Sequence, residues 1–333
     1  MSSRKTLVLA YTSKNVQKQH LFRAMIEDSA LLSERVDLVI ASTEEEAAAA
    51  LPDAHVFLCY RFPLDWLPKA KNLRWIHVGG AGVDHLLTPE FVKSDIRITN
   101  ARGVHVEVQS DYILGTMLMW SRKLLWVERF RQDKRWMEWK KPMIMGGQAL
   151  KDQVLLIVGL GAIGKTLARK AAGLGMVVHG VKLHIDPGVH FSGVSKLWKS
   201  EELHEALEQA DFVTSLVPYT LETNQIFGRE AFRKMKSSAF FVNSSRGKVV
   251  DEHALIQALQ EHWIAGAALD VFENEPLPEN SPLWDLENVI LTPHIGGNYE
   301  QYTMDVYRQF VANLERYVRG EPLLNEIDKQ LGY

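Results

Sequence analysis

The sequence predicts an α/β protein with two parallel-sheet domains. Short apolar runs alternate with helical stretches along the whole chain, which is typical of strands joined by crossover helices. The runs form two sets, separated by a long helical stretch rich in Met and Trp. A chain of 333 residues, 46% of them hydrophobic, is too long for one ordinary core and suits two.

The first set of apolar runs predicts four strands of a small domain. These runs are TLVLAY at 6–11, VDLVIA at 36–41, AHVFLCY at 54–60 and LRWIHV at 73–78. Helical segments such as 18–32 and the alanine-rich 44–51 separate them. Cys59, the only cysteine, lies in the third run, so we interpret it as a buried strand residue rather than a reactive thiol. A single cysteine also excludes an intramolecular disulfide and a multi-cysteine metal site.

After ITN at 98–100 the pattern changes to a helical stretch over about 105–137. The segment 121–141, which overlaps its second half, holds eight Lys or Arg against three acidic residues, with three tryptophans interleaved. Such a mixture can bind nucleic acid or a membrane surface. The interpretation that we favour is an amphipathic helix that packs its tryptophans on its own domain or on a dimer partner.

The second set of runs predicts six strands of a larger sheet. They are QVLLIVG at 153–159, MVVHGV at 176–181, DFVTSLV at 211–217, SAFFVN at 238–243, AGAALDV at 265–271 and NVILTP at 288–293. A last amphipathic helix is predicted over 298–319, with Asn298 as its N-cap and a stop at Gly320. We expect this helix to return to the first domain. The predicted domains are therefore 1–99 plus 298–333, and 100–297.

A glycine-rich turn, VGLGAIG, lies between a predicted buried strand and a helical run. In this context Gly159 permits a tight turn, Gly161 lets the backbone approach a pyrophosphate, and Gly164 allows close packing of helix on strand. The N–H groups of Ala162 and Ile163 at the helix N-terminus are then available to phosphates. The sequence thus predicts a Rossmann-like, dinucleotide-binding second domain.

The end of the next strand predicts the type of dinucleotide. NAD-binding folds usually carry an acidic residue about 20 positions beyond the turn, where it accepts hydrogen bonds from the ribose. This chain has Lys182 there, which can pair with a 2′-phosphate, with His184 as possible support. We therefore expect NADP(H) to be preferred and NAD(H) to be possible. A solvent-facing Lys182, or a ribose contact from Asp186, stays open.

Three polar residues follow the last three predicted strands: Arg246 in NSSRG, Glu275 in ENEP and His294 in TPHIGG. Hydride transfer to a 2-keto acid requires this combination. The arginine can hold and polarise the keto-carboxylate, and the histidine can protonate the alkoxide that forms when hydride arrives. The carboxylate keeps the histidine charged and aimed. This chemistry requires no metal.

The carboxylate of such a substrate needs further donors. Gly80, Ala81 and Gly82 follow the strand LRWIHV in a turn that can present its backbone N–H groups as an anion-binding nest. Arg61 ends the preceding strand and is a candidate second contact, although a surface role is equally open.

In combination and order, these motifs resemble the D-isomer-specific 2-hydroxyacid dehydrogenase family, nearer its glyoxylate/hydroxypyruvate reductase branch. The resemblance runs from HVGGAGVDHL through TNARG, VGLGAIG, LVPYTLETNQIFG, NSSRGKVVDEHAL and ALDVFENEPLP to VILTPHIGG. It implies catalytic roles for Arg246, Glu275 and His294. It also implies cofactor contacts, which fall on Val217, Pro218, Ser244 and Asp270.

The resemblance further implies a flavodoxin-like substrate domain made of both termini, an active site in the cleft between the domains, and a homodimer built on the cofactor domain. Two departures from the family pattern are local. VQSDY places Asp111 where Glu is usual, and Asp152-Gln153 replaces a common Gly-Lys pair.

Charge and composition bear on the remaining functional classes. Acidic and basic residues nearly cancel, 41 against 38, so no whole-chain field favours nucleic acid or an anionic membrane. The short N-terminal apolar run is no convincing targeting segment, so we expect a cytoplasmic protein. The family also includes dinucleotide-sensing corepressors, the C-terminal binding proteins, and that role is the alternative. Glyoxylate, hydroxypyruvate, pyruvate and bulkier keto acids stay open as substrates.

Overall fold

The structure is a computed structural model that describes residues 5–127, 134, 147–185 and 187–332. The chain forms two compact units. The first unit comprises Met1–His105 and Tyr299–Tyr333, and the second comprises Val106–Asn298. No helix within the described ranges is both long enough and apolar enough to cross a lipid bilayer.

The first unit contains a five-stranded sheet in which every pairing is parallel. Its strands are Thr6–Tyr11 (β1), Val36–Ile40 (β2), Val56–Cys59 (β3), Trp75–Val78 (β4) and Arg97–Asn100 (β5), in the order β2-β1-β3-β4-β5. The four predicted strands are confirmed, and Cys59 is fully buried in β3. Burial raises the pKa of the Cys59 thiol. β5 was not predicted, because its four residues include Arg97 and Asn100 and only one large apolar side chain.

Helices cover both faces of this first sheet. They are Val16–Glu27 (α1), Ala30–Arg35 (α2), Glu44–Ala50 (α3), Pro89–Lys93 (α4) and the C-terminal helix, Tyr302–Arg319. The predicted N-cap at Asn298 is wrong. The Asn298 N–H instead donates to the Ile295 carbonyl (2.8 Å) in a turn, and the helix begins four residues later. The predicted end is confirmed, since Gly320 adopts a left-handed φ of 73°.

The C-terminal helix packs its apolar stripe on the first sheet. Tyr307 stacks on Phe22 at a centroid distance of 4.3 Å, and Phe310 stacks on Trp75 at 5.2 Å. All four side chains are at most 1% exposed. The last helix of the chain therefore completes the core of the first unit.

The second unit contains a seven-stranded, wholly parallel sheet. Its strands are Val154–Val158 (β6), Val177–Lys182 (β7), Lys196–Lys199 (β8), Phe212–Ser215 (β9), Phe240–Asn243 (β10), Gly266–Leu269 (β11) and Val289–Leu291 (β12). Their order is β12-β11-β10-β9-β6-β7-β8. The six predicted strands are confirmed. The edge strand β8 was not predicted, because KLWK buries only Trp198 between charged residues.

The α-helices of the second unit that lie wholly within the described ranges are Val106–Ser121 (α5), Ala162–Gly173 (α6), Leu203–Gln209 (α7), Arg229–Lys234 (α8) and Glu252–Gln260 (α9). The helical stretch predicted over about 105–137 is interrupted, because α5 ends at Ser121 and helical residues resume at 124–127. Lys123 adopts a left-handed φ of 58°, and the Gln148 N–H donates to the Ser121 carbonyl (2.8 Å). The predicted basic-aromatic segment beyond residue 127 lies outside the described residues, Lys134 excepted.

Candidate active site

The glycine turn after β6 has a separate physical reason for each glycine. Gly159 has a φ of 108°, and a Cβ there would lie 2.7 Å from the Leu216 carbonyl carbon. A Cβ on Gly164 would overlap the Gly159 carbonyl oxygen, so helix α6 can approach the strand only with glycine. Gly161 instead borders open space, with nothing within 4 Å of its would-be Cβ. A ligand can therefore approach the backbone at Gly161.

Backbone donors converge at the start of α6. Gly161 is the N-cap and has no side chain to cap the helix. Among the described residues, the N–H groups of Ala162 and Ile163 have no acceptor. The strand order reverses between β6 and β9, which is where open parallel sheets bind ligands. The turn thus has the form of a phosphate site.

The walls of this site also fit a dinucleotide. Val217 and Pro218 follow β9, the strand beside β6, and the Val217 backbone approaches Gly159. Ser244 follows β10, and its buried hydroxyl has no hydrogen-bond partner within the described part of the chain. A buried unpaired hydroxyl is costly, so this atom fits a site that a polar ligand completes. The Ser244 carbonyl is already used, since Gln109 Nε2 donates to it.

Lys182 is the last residue of β7 and is partly exposed. Its Cα partner on the edge strand β8 is Lys199, so two lysines end adjacent strands. No carboxylate pairs with Lys182 in the described ranges, although Asp186 lies outside them. His184 follows two residues later. The positive charges of Lys182 and Lys199 at these strand ends therefore favour the binding of an anion.

The three predicted catalytic residues follow three adjacent strands, β10, β11 and β12. His294 Nδ1 lies 2.8 Å from Glu275 Oε2, and Glu275 Oε1 accepts the Phe272 N–H at 3.0 Å. Arg246 precedes Gly247, where any Cβ would overlap the Phe272 carbonyl oxygen. The turn after Arg246 therefore packs directly on the segment that carries Glu275. The structure brings histidine and carboxylate into contact and holds the carboxylate at its other oxygen.

His294 itself occupies a constrained position, with a left-handed φ of 54° and a half-exposed side chain. Asp270, which is buried, holds this segment. Its carboxylate accepts the N–H groups of Ile295 and Gly296 (both 2.8 Å) and the Thr292 hydroxyl (2.7 Å). These bonds compensate for the unfavourable backbone conformation. Asp270 retains lone-pair capacity for one further donor.

Tyr112 on helix α5 extends this network. Its hydroxyl lies 2.7 Å from the Thr292 hydroxyl, which donates to Asp270. Burial raises the pKa of Tyr112 to about 12, so it stays protonated and donates to Thr292. Sequence reasoning missed this support. The available signal was a threonine two residues before His294, beside a buried aspartate that ends a strand.

The turn at 79–82 belongs to the first unit. Gly79 donates its N–H to the Cys59 carbonyl (2.8 Å), whereas the N–H groups of Gly80, Ala81 and Gly82 have no acceptor among the residues that the structure describes. Arg61 is exposed, and no ion pair to it occurs within the described residues. The turn has the predicted free donors, and Arg61 stays a candidate.

The departure at Asp111 has a structural explanation. Lys170 on α6 pairs with Asp111 (2.7 Å) and Glu107 (2.8 Å) on α5. Asp111, although shorter than the usual glutamate, therefore forms an ion pair that joins two helices of the second unit. Asp152, the other departure, occupies a turn with a φ of 67°.

Comparison with known proteins relates this geometry to one family. The model of the D-isomer specific 2-hydroxyacid dehydrogenase, NAD binding domain, matches residues 114–296. A protein named glyoxylate reductase from Korarchaeum cryptofilum is 36% identical over 272 residues, covering 79% of this chain and 78% of the relative.

Two solved structures are similar over almost the whole chain. A D-isomer specific 2-hydroxyacid dehydrogenase family protein from Aeromonas salmonicida has a TM-score of 0.86 at 31% identity, covering 98% of this chain and 100% of its own. A D-isomer specific 2-hydroxyacid dehydrogenase from Xanthobacter autotrophicus Py2, in complex with NADPH and MES, has a TM-score of 0.83 at 28% identity. That comparison covers 99% of this chain and 100% of the other.

Proposed function

The chain belongs to the D-isomer specific 2-hydroxyacid dehydrogenase family, and we propose that it reduces a small 2-keto acid to the D-2-hydroxy acid with NADPH. The observation that carries the proposal is the 2.8 Å contact between His294 Nδ1 and Glu275 Oε2, beside the strand end that bears Arg246. A proton donor, a carboxylate partner and a substrate-binding guanidinium thus belong to neighbouring segments. The name of the relative from Korarchaeum cryptofilum, glyoxylate reductase, favours glyoxylate as substrate, and hydroxypyruvate is the next candidate.

The cofactor would be held by the second unit. Gly161, Ala162 and Ile163 would bind the pyrophosphate, and Val217 with Pro218 would flank the adenine. Ser244 and Asp270 would contact the nicotinamide end, and Lys182 would bind the 2′-phosphate. When bound, the reduced nicotinamide supplies the hydride that adds to the keto carbon.

The proton would come from His294. With Nδ1–H directed at Glu275, the imidazolium carries its other proton on Nε2, and this proton passes to the carbonyl oxygen. The Phe272 N–H, which donates to Oε1 of Glu275, favours the orientation in which Oε2 meets the ring. Glu275 would stabilise the imidazolium before transfer and keep the neutral ring oriented afterwards.

Arg246 would bind and polarise the keto-carboxylate in a planar, two-donor contact that a lysine cannot reproduce. The N–H groups of Gly80, Ala81 and Gly82 would bind the substrate carboxylate, with Arg61 as a second contact. We also propose a homodimer built on the second unit, since three large apolar side chains are exposed at and beyond the end of α5: Leu118, Leu124 and Val127.

A panel of 2-keto acids tests the function. Glyoxylate, hydroxypyruvate, pyruvate and a branched keto acid are assayed separately with NADPH and NADH. The configuration is determined for every chiral product, that is, for all except the achiral glycolate formed from glyoxylate. We expect turnover of a small acid, a D-2-hydroxy acid as product, and a higher kcat/KM with NADPH. An L-product, or no turnover with either cofactor, contradicts the proposal.

A further inference from the structure

The turn at 79–82 has no helix of its own to organise it. It follows β4 and leads into a short 3₁₀ segment, Asp84–Leu86. Three donors from elsewhere in the first unit bind its successive carbonyls. Tyr302 Oη donates to Gly79 O at 2.5 Å, the Ala101 N–H donates to Gly80 O at 3.0 Å, and Asn100 Nδ2 donates to Ala81 O.

This arrangement fixes the orientation of the peptide planes. Because a carbonyl and the next residue's N–H point in opposite directions from one plane, anchoring Gly79 O also directs the N–H of Gly80. The same holds for the N–H groups of Ala81 and Gly82. All three N–H groups lack an acceptor within the described ranges. The bonds to the carbonyls therefore hold the N–H groups toward a ligand.

Of the three donors, only Tyr302 uses a side chain from a distant part of the sequence, 223 residues from Gly79. Its ring is packed among other rings. It stacks on Tyr60 at 6.3 Å and meets the edge of Tyr299 at 5.8 Å. Tyr60 in turn lies so close to Gly79 that a Cβ there would be 2.7 Å from its ring. Burial raises the pKa of Tyr302, so its hydroxyl stays a donor.

We infer that Tyr302 is a positioning residue for the substrate carboxylate. It acts by anchoring the Gly79 carbonyl of the 79–82 turn. The inference rests on the proposed function. Tyr302 has no direct contact with substrate in this role. Its hydroxyl determines where the N–H of Gly80 points, and its ring keeps the hydroxyl in place.

Tyr302→Phe tests this role, because it removes the hydroxyl and keeps the ring. Since a carboxylate is bound in the ground state and the transition state alike, the KM for the keto acid should rise while kcat changes less than about twofold. The loss of one hydrogen bond predicts a rise of about tenfold. The inhibition constant of oxalate, an unreactive dicarboxylate probe, should rise by the same factor, and the KM for NADPH should not change.

Tyr307→Phe is the matched control. Tyr307 lies on the same helix, is buried, and loses a hydroxyl contact of 2.7 Å to Thr12 rather than to the turn. We expect its keto-acid KM and its oxalate inhibition constant to equal those of the wild type. Thermal unfolding of both variants monitors any general loss of stability.

The possible results separate the two claims. A wild type that reduces no 2-keto acid overturns the proposed function, and this inference with it. An active wild type with unchanged KM and oxalate inhibition in Tyr302→Phe overturns the role of Tyr302 alone. An equal rise in both variants, or a fall in kcat without a rise in KM, also overturns it.

Discussion

Two glycine-rich turns, at 159–164 and at 79–82, present backbone N–H groups at the carboxyl ends of parallel strands. In the second unit the turn continues into the 12-residue helix α6, whose first turn holds the N–H groups in place. In the first unit no such helix follows, and Tyr302, Asn100 and the Ala101 N–H hold the carbonyls instead. The same kind of donor set is thus built locally in one unit and by distant residues in the other.

This difference teaches what a motif can reveal. The turn of the second unit is self-contained, so its glycine spacing is readable in a stretch of six residues. The turn of the first unit depends on a residue near the other end of the sequence. The units also differ in their proposed tasks, because the second carries the proton transfer and the cofactor and the first only binds the substrate.

The largest effect is expected for a substitution that removes a proposed catalytic side chain of the second unit. His294→Ala removes the proposed proton donor, so kcat for reduction should fall about a thousandfold, within the range for general acid catalysis. Binding of NADPH, measured by fluorescence titration, should stay unchanged because the glycine turn is untouched. A variant that retains more than a tenth of wild-type kcat assigns the proton to another group.

The pH dependence provides a finer control for this prediction. Keto-acid reduction requires the imidazolium and should fall as pH rises, while hydroxy-acid oxidation requires the neutral ring and should rise. Glu275→Gln removes the carboxylate that the ring contacts at 2.8 Å, so kcat for reduction should fall while NADPH binding stays unchanged. A wild-type kcat in Glu275→Gln would show that the two residues are uncoupled.

An intermediate effect compares the two turns directly. Gly159→Ala combines a φ of 108° with a Cβ 2.7 Å from Leu216, and it should lower the free energy of unfolding by about 2–5 kcal/mol. Gly80→Ala has open space and no positive φ, so its unfolding free energy should change by less than about 0.5 kcal/mol. Denaturant unfolding measures both. Equal destabilisation would refute the contrast.

The smallest expected effect concerns cofactor choice. Lys182→Asp should repel the 2′-phosphate and accept ribose hydroxyls, which lowers the kcat/KM ratio of NADPH over NADH about tenfold or more. Lys196→Asp, at the opposite end of β8, is the control and should leave the ratio unchanged. A wild type that prefers NADH removes Lys182 from the phosphate site while leaving the fold intact.

Ten of the twelve described strands could be predicted from the sequence, because each lies in a run of mostly apolar residues. β5 and β8 were not predicted, since these short strands at a sheet edge carry polar residues that interrupt the run of apolar residues. The pairing of His294 with Glu275 could be predicted because parallel strands end at one edge. The network of Asp270, Thr292 and Tyr112 could not, because periodicity does not reveal hydrogen bonds between side chains 22 and 180 residues apart.

The C-terminal helix has a consequence for the order in which the protein matures during synthesis. Residues 5–100 leave the ribosome with all five strands of the first sheet, but Met304, Tyr307 and Phe310, which bury one of its faces, are made only after the second unit. The second unit is complete in the nascent chain by then. Because domains fold as units during synthesis, the second unit can fold while the first still exposes an apolar sheet face to chaperones. The hydroxyl of Tyr302 can reach Gly79 only after residue 302 has left the ribosome, so the 79–82 turn gains this contact after the second unit has been made.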